Sequence, residues 1–158
     1  VIFVGGELGA SALGLRDILE GRHDTPYAAV HRNPVPQVAE GEWLGGRTEV
    51  HAMMDLSDGL ASDLRHILRA SSCGAEIIVE NIPSAAGDTA TAVCGGEDYK
   101  LLFTVGAAEA DDLQSAFAER FGRTIHRIGR ITESAASDIR WMEHGREITP
   151  PWRGFTHF

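Results

Sequence analysis

The sequence predicts an α/β or α+β domain in which a mixed β-sheet is covered by helices. Short apolar runs of strand length alternate with stretches whose apolar residues recur at helical spacing. Hairpin-like pairs of runs follow toward the end of the chain. With 158 residues, of which 43% are hydrophobic, the chain suits one domain with a sizeable core.

The first third of the chain predicts one strand and three helices. "VIFVGG" at 1–6 is typical of a short buried strand that ends at glycines. Apolar residues at helical spacing over 12–19 predict the first helix. Thr25 followed by Pro26 is typical of an N-cap and the first position of a second helix. The prolines of "NPVP" end that helix, and a third helix is predicted to about residue 44.

The rest of the chain predicts four further strands, two long helices and a hairpin. Leu60, Leu64, Ile67 and Leu68 form one apolar helical face, and "IRWME" and "REIT" form a hairpin. In order, we expect a strand over 48–55, a helix that begins near Ser57 or Asp58, a strand over 75–80, a loop or short helix over 84–92, a strand through 101–105, a helix over 108–121, a strand over 124–131 with a glycine kink, and the hairpin with its turn at His144-Gly145.

Charge and cysteine content exclude several functional classes. The formal net charge of −9 argues against a broad nucleic-acid-binding face and against binding to an anionic membrane surface. It does not exclude one anionic ligand, because a metal ion can bridge acidic side chains to phosphate. Cys73 and Cys94 are far apart and form no metal-binding pair, which fits a reducing cytoplasm. No apolar run approaches the ~18 residues of a membrane span.

The stretch "MMDLSDGLASDL" at 53–64 carries the strongest chemical signal. Asp55 falls at the predicted end of a strand, and Ser57 and Asp58 fall at the predicted start of a helix. Backbone N–H groups are unpaired at such a start, and the helix dipole favours anions there. Asp55 and Asp58 are therefore candidate Mg²⁺ ligands, and Ser57 is a candidate phosphate contact. The alternative is that Ser57 or Asp58 only caps the helix.

Two further polar or aromatic segments are candidates for substrate binding. In "GGED" at 95–98, Glu97 and Asp98 could contact a cationic or hydroxylated substrate, or they could be solvated acids in a tight turn. In the tail, Trp152 and Phe155 could stack on a flat, cationic heterocycle, or the tail could simply pack on the core. The seven histidines have no metal-ligand spacing, so we interpret them as surface or structural residues.

These motifs, taken in order, resemble one family, the thiamine-monophosphate kinases. The resemblance covers nearly the whole chain, and the combination of the SDGL and GGEDY motifs with the aromatic tail is specific. SDGL-like elements alone also fit the wider superfamily, which includes aminoimidazole ribonucleotide synthetase, selenophosphate synthetase and a hydrogenase maturation factor. The segments that carry the resemblance are "LGASALGL" at 8–15, "HRNPVPQVAEG" at 31–41, "MDLSDGLASDL" at 54–64, "GGEDYKLLFTV" at 95–105, "IGRIT" at 128–132 and "WRGFTHF" at 152–158.

The resemblance implies direct phosphoryl transfer from ATP to thiamine phosphate, with Mg²⁺ as cofactor and thiamine diphosphate as product. Such a reaction depends mainly on positioning and charge neutralisation, so metal-bearing carboxylates matter more than a covalent nucleophile. A sibling activity within the superfamily is a further possibility. By motif, Asp55 and Asp58 resemble metal ligands, Ser57 an ATP contact, Glu97 a substrate contact, and Phe155 and Trp152 aromatic partners of thiamine.

The chain is about half as long as members of that family. We therefore expect residues 1–158 to be a single C-terminal domain, with 1–8 as the remnant strand of a missing N-terminal ATP-binding domain. Residues 1–6 should then lack sheet neighbours. The family's N-terminal half supplies further aspartates and the usual homodimer interface, so this piece alone should be inactive. A non-catalytic module that binds a phosphate ligand or a partner is the alternative.

Two residues depart from the family's usual pattern. Ala10 stands where the family commonly has aspartate, and Lys100 follows "GGEDY" where an acidic residue is common. Ala10 removes a polar contact near the expected phosphate side, and Lys100 changes the local charge.

Overall fold

The computed structural model describes residues 1–134, 137–150 and 152. Within these residues, seven strands form one sheet and six α-helices cover it. The strands are β1 (Ile2–Val4), β2 (Val50–Asp55), β3 (Gly74–Ile78), β4 (Leu101–Val105), β5 (His126–Thr132), β6 (Ile139–Glu143) and β7 (Arg146–Ile148). The helices are α1 (Ala10–Leu19), α2 (Pro26–Arg32), α3 (Val38–Gly45), α4 (Leu60–Ser71), α5 (Thr89–Cys94) and α6 (Ala110–Phe121). Short 3₁₀ segments occupy Val79–Asn81 and Ala85–Gly87.

The sheet is mixed, as the sequence predicts. Its strand order is β2-β4-β1-β5-β3-β6-β7. The pair β3–β6 is parallel, and the other paired strands described are antiparallel. The β6–β7 hairpin turns at His144 (φ 49°) and Gly145 (φ 74°), the two positive φ values that a tight hairpin turn of this kind requires. The predicted α+β architecture is confirmed.

The expectation that residues 1–6 lack sheet neighbours is wrong. Strand β1 pairs with β4 on one side and with β5 on the other, and all three of its residues are completely buried. Its partners come from the second half of the chain, so their identity cannot be read from the local sequence around Val4. β1 is therefore an integral central strand of this domain's own sheet.

The two faces of the sheet bury two separate cores. On one face, apolar residues of β1 and β4 pack with Leu60, Leu64 and Leu68 of α4. On the other face, Phe3 and Phe103 pack with residues of α3 and α6. The alternation of side chains along a strand explains the division, because successive residues point to opposite faces.

A local signal accounts for the start of α2, but not for the start of α4. Thr25 caps α2, and its hydroxyl accepts a hydrogen bond from the Ala28 N–H at 3.0 Å. The start of α4 differs from the prediction, because Gly59 (φ 96°) occupies the N-cap position and no side chain caps the helix there. Ser57 and Asp58 therefore lie in the loop before the helix. None of the helices described is long and apolar enough to cross a membrane.

Candidate functional site

The SDGL and GGED segments line one cleft of about 370 Å³. Ser57 and Asp58 line it from the β2–α4 loop, and Glu97 lines it from the loop before β4. The first turns of α1 and the end of α2 close the other side. The structure thus brings together three of the residues that the sequence singles out.

Backbone hydrogen bonds hold the two motif segments side by side beyond the end of the β2–β4 pair. The N–H of Glu97 donates to the carbonyl of Ser57 at 2.8 Å, and the N–H of Tyr99 donates to the carbonyl of Leu56 at 2.9 Å. This approach requires glycine at 96, because a Cβ there would lie 2.4 Å from the Ser57 carbonyl oxygen. The cleft wall is therefore built from backbone contacts between distant motifs.

Asp63 fixes the loop that carries Ser57 and Asp58. Its side chain is 1% exposed, and one carboxylate oxygen accepts hydrogen bonds from the N–H groups of Ser57 and Asp58, both at 3.0 Å. Burial raises the pKa of the Asp63 carboxyl; the two N–H donors oppose this shift and the nearby Asp58 carboxylate adds to it. Asp63, rather than Ser57 or Asp58, therefore supplies the hydrogen-bond acceptor at the start of α4.

Asp98 accepts backbone N–H groups at the start of α1, as Asp63 does near the start of α4. It is buried, and its two carboxylate oxygens accept hydrogen bonds from the N–H groups of Gly9 (2.6 Å) and Ser11 (3.1 Å). Burial raises the pKa of this carboxyl as well, against the effect of these donors. The interpretation of Asp98 as a solvated acid or a substrate contact does not fit this position, whereas its neighbour Glu97 is exposed.

Glu97 belongs to a small polar group on the cleft wall. One of its carboxylate oxygens lies 3.6 Å from Nδ1 of His31, and that nitrogen lies 2.9 Å from the Ser11 hydroxyl. Glu97 adopts a positive φ of 64°, an uncommon conformation for a residue with a side chain. This carboxylate is positioned to meet a cationic or hydroxylated group in the cleft.

The remaining predicted site residues lie elsewhere or beyond the described part. Asp55 ends the edge strand β2, is exposed, and is not among the residues that line the cleft. Trp152 packs edge-on against Trp141 of β6, with ring centroids 5.7 Å apart, and joins the core on that face. For Trp152, packing on the core is thus observed, and its contact with substrate stays a prediction. Phe155 lies outside the described residues.

Sequence reasoning missed the contributions of Ser11, His31 and Asp63. Ser11 and His31 are twenty residues apart and meet only because α1 and α2 pack together. Asp63 carried a readable signal, since an aspartate in the first turn of a helix often binds backbone N–H groups.

Residues 1–142 match the family model described as AIR synthase related protein, C-terminal domain. The chain belongs to this family. Membership accounts for the mixed sheet and for the β1 strand at its centre, because the matched region begins at residue 1 and takes in β1.

Curated relatives of this AIR synthase related domain are thiamine-monophosphate kinases. The chain is 34% identical to the enzyme of Salmonella typhimurium over 99% of its length, and 31% identical to that of Bacillus subtilis over 100%. In both comparisons the match covers 52% of the relative. The chain therefore spans about half the length of the curated relatives it matches.

Solved structures agree with this assignment. Thiamine-monophosphate kinase from Stenotrophomonas maltophilia matches with a TM-score of 0.74 and 32% identity, covering 87% of this chain and 49% of that one. The structure described as AaThiL complexed with AMPPCP and TMP matches with a TM-score of 0.74 and 27% identity, covering 99% of this chain and 50% of that one. A hydrogenase maturation protein, HypE of E. coli, shares the fold at 19% identity and a TM-score of 0.70.

Proposed function

We propose that this chain is the C-terminal domain of a thiamine-monophosphate kinase, which transfers a phosphoryl group from ATP to thiamine phosphate. One observation carries the proposal: Ser57, Asp58 and Glu97, which come from two separate motifs, line one cleft. The named relatives, and the relative that holds AMPPCP and TMP, support this choice of reaction. We further propose that a preceding half of the same protein completes the site, that the full protein is a homodimer, and that it acts in the cytoplasm.

In this proposal each cleft residue has a distinct role. Ser57 offers a hydroxyl to ATP from a loop that Asp63 holds in place. Glu97 offers a carboxylate to the thiamine phosphate, beside His31. Phe155 and Trp152 are the proposed aromatic partners of the thiamine rings.

The side chains near the start of α4 fit Mg²⁺ through their carboxylates. Ligand atoms of Asp58, Asp63 and His66 lie within 4.8 Å of one another. Mg²⁺ prefers oxygen ligands and often takes only one or two carboxylates beside phosphate oxygens, so the imidazole of His66 is the least suitable of the three. Because one Asp63 oxygen already accepts two N–H groups, we assign Asp58 as the proposed ligand of this group. Asp55, which lies outside the group, is proposed as a second ligand from the motif resemblance alone. Bound Mg²⁺ would neutralise charge on the transferred phosphoryl group.

The proposal is tested by assaying the complete product of the source gene beside the 158-residue chain. The first step is to measure the mass of the purified protein and to determine the length of its reading frame. We expect a longer frame whose product forms thiamine diphosphate from ATP and thiamine phosphate, while the chain alone does not. A full-length rate from the chain alone would contradict the need for a preceding half.

The second candidate is a non-catalytic module that binds a phosphate ligand or a partner. Ala10, at a position where the resembling family commonly has aspartate, is the observation that favours it. A folded gene product that binds ATP but forms no thiamine diphosphate would support this candidate and overturn the kinase. A screen of related phosphate acceptors would separate thiamine phosphate from the substrate of a sibling enzyme.

A further inference from the structure

A second cavity, of about 410 Å³, lies beside the first turn of α1 and shares no lining residue with the cleft. It lies near the end of β1 and the starts of β4 and β5. The proposed kinase roles use none of its side chains. The charged and polar lining residues that matter for its chemistry are Glu7, Asp98, Lys100, Arg123 and His126.

Lys100 is the only lysine in the sequence, and it lines this cavity. Its aliphatic stem passes over Gly6, where a Cβ would lie 3.6 Å from the Lys100 Cδ atom. Among the ion pairs formed by described residues, none involves the Lys100 ammonium. Gly6 has no side chain of its own, so a ligand beside the Lys100 stem can approach its backbone.

Two acidic residues line the same cavity, and neither forms an ion pair with the Lys100 ammonium. Asp98 lines the cavity, accepts the N–H groups of Gly9 and Ser11, and compensates part of the Lys100 charge by electrostatic attraction. Glu7 also lines it and is exposed to solvent. Solvent screens the Glu7 charge more strongly than it screens a charge inside the cavity.

Arg123 and His126 add hydrogen-bond donors on the side of β5. Arg123 forms an ion pair with Glu40, but a guanidinium has five N–H donors, so others remain for a ligand. Burial lowers the pKa of His126, which favours the neutral ring, and a neutral ring still donates one N–H. An ammonium, a guanidinium and an imidazole N–H beside a glycine turn make a set of groups that recognises phosphate oxygens.

We propose that this cavity binds the phosphate group of a small molecule, with Lys100 and Arg123 supplying the charge and His126 a further donor. The site goes beyond the proposed kinase function and does not depend on it. Its test measures binding without turnover, so failure of one proposal leaves the other standing.

The single lysine provides a direct probe of this site. Reductive methylation with ¹³C-formaldehyde labels Lys100 and the α-amino group, and it keeps the charge of both. Inorganic phosphate is titrated into the labelled chain at constant ionic strength, with chloride as the matched salt. We expect a saturable shift of the Lys100 signal with phosphate and none with chloride. An unchanged Lys100 signal over the phosphate titration would overturn the proposal.

Charge variants locate the site within the cavity. Ala10 also lines it, and Ala10→Asp should weaken phosphate binding about tenfold by placing a second carboxylate beside the anion. Ala108→Asp is the control, because Ala108 is exposed and lies beyond the far end of β4. Equal affinity of the two variants, both shown to be folded by circular dichroism, would overturn the proposal.

A second pair of variants tests Lys100 itself. Lys100→Gln should abolish the phosphate-dependent shift of the Gly6 backbone amide, whereas Arg69→Gln, an equal charge change at an exposed position of α4, should not. Titrations with thiamine phosphate and ADP then identify the source of the phosphate group. Tighter binding of either ester than of inorganic phosphate assigns the site to that ester, and equal binding assigns it to free phosphate.

Discussion

Replacing Asp63 with alanine should destabilise the fold and loosen the loop that carries Ser57 and Asp58. The buried carboxylate accepts two backbone hydrogen bonds of 3.0 Å from that loop. A hydrogen bond to a charged group contributes roughly 1.5–3 kcal/mol, and losing both bonds is partly offset because the buried charge is also removed. We expect the free energy of unfolding to fall by about 2–4 kcal/mol.

Urea denaturation followed by circular dichroism measures this loss at pH 7. The matched control is Asp112→Ala, which removes an exposed aspartate from the first turn of another twelve-residue helix, α6. Asp112→Ala should lower the free energy of unfolding much less than Asp63→Ala, since only the helix dipole favours Asp112. If Asp63→Ala were no more destabilising than Asp112→Ala, the assigned role of Asp63 would be refuted.

Three further predictions concern the same wall and its neighbours. The free energy of unfolding should increase as the pH is lowered from 7 through the raised pKa values of Asp63 and Asp98, because the folded state then binds more protons than the unfolded state. Urea unfolding at several pH values measures this change. Asp63→Asn should make the free energy of unfolding depend less on pH. Gly96→Ala should lower the unfolding free energy by about 1–3 kcal/mol, since its Cβ would meet the Ser57 carbonyl; an unchanged urea midpoint would contradict the close approach of the two loops. Thr25→Ala should lower the free energy of unfolding by about 1 kcal/mol in the same assay, because the α2 cap is lost. Thr25→Ser keeps the hydroxyl and should retain most of that stability.

The sequence predicted features that depend on neighbouring residues. The cap at Thr25 and the turn at His144 each follow from local chemistry, and both are observed. The mixed sheet with helices on its faces also followed from the order of apolar runs. These features need no knowledge of distant contacts.

Features set by distant contacts could not be predicted in this way. The partners of β1 lie about one hundred residues away, so its central place in the sheet was missed. Asp98 was interpreted as a substrate contact or a solvated turn residue, because the start of α1, which supplies the N–H groups that it binds, is distant in sequence. The cleft itself depends on the pairing of residues 56–57 with 97–99, although the motif resemblance had already singled out its chemical groups.

The most direct test of the central claim is the rate of thiamine diphosphate formation by the complete gene product with Asp58 replaced. Asp58→Asn keeps the size of the side chain but removes the charge that we propose binds Mg²⁺ beside the ATP phosphates. We predict that kcat falls by about a hundredfold or more, while Asp112→Asn leaves it unchanged. A folded Asp58→Asn protein that forms thiamine diphosphate at the wild-type rate would contradict the assignment of this cleft as the phosphoryl-transfer site.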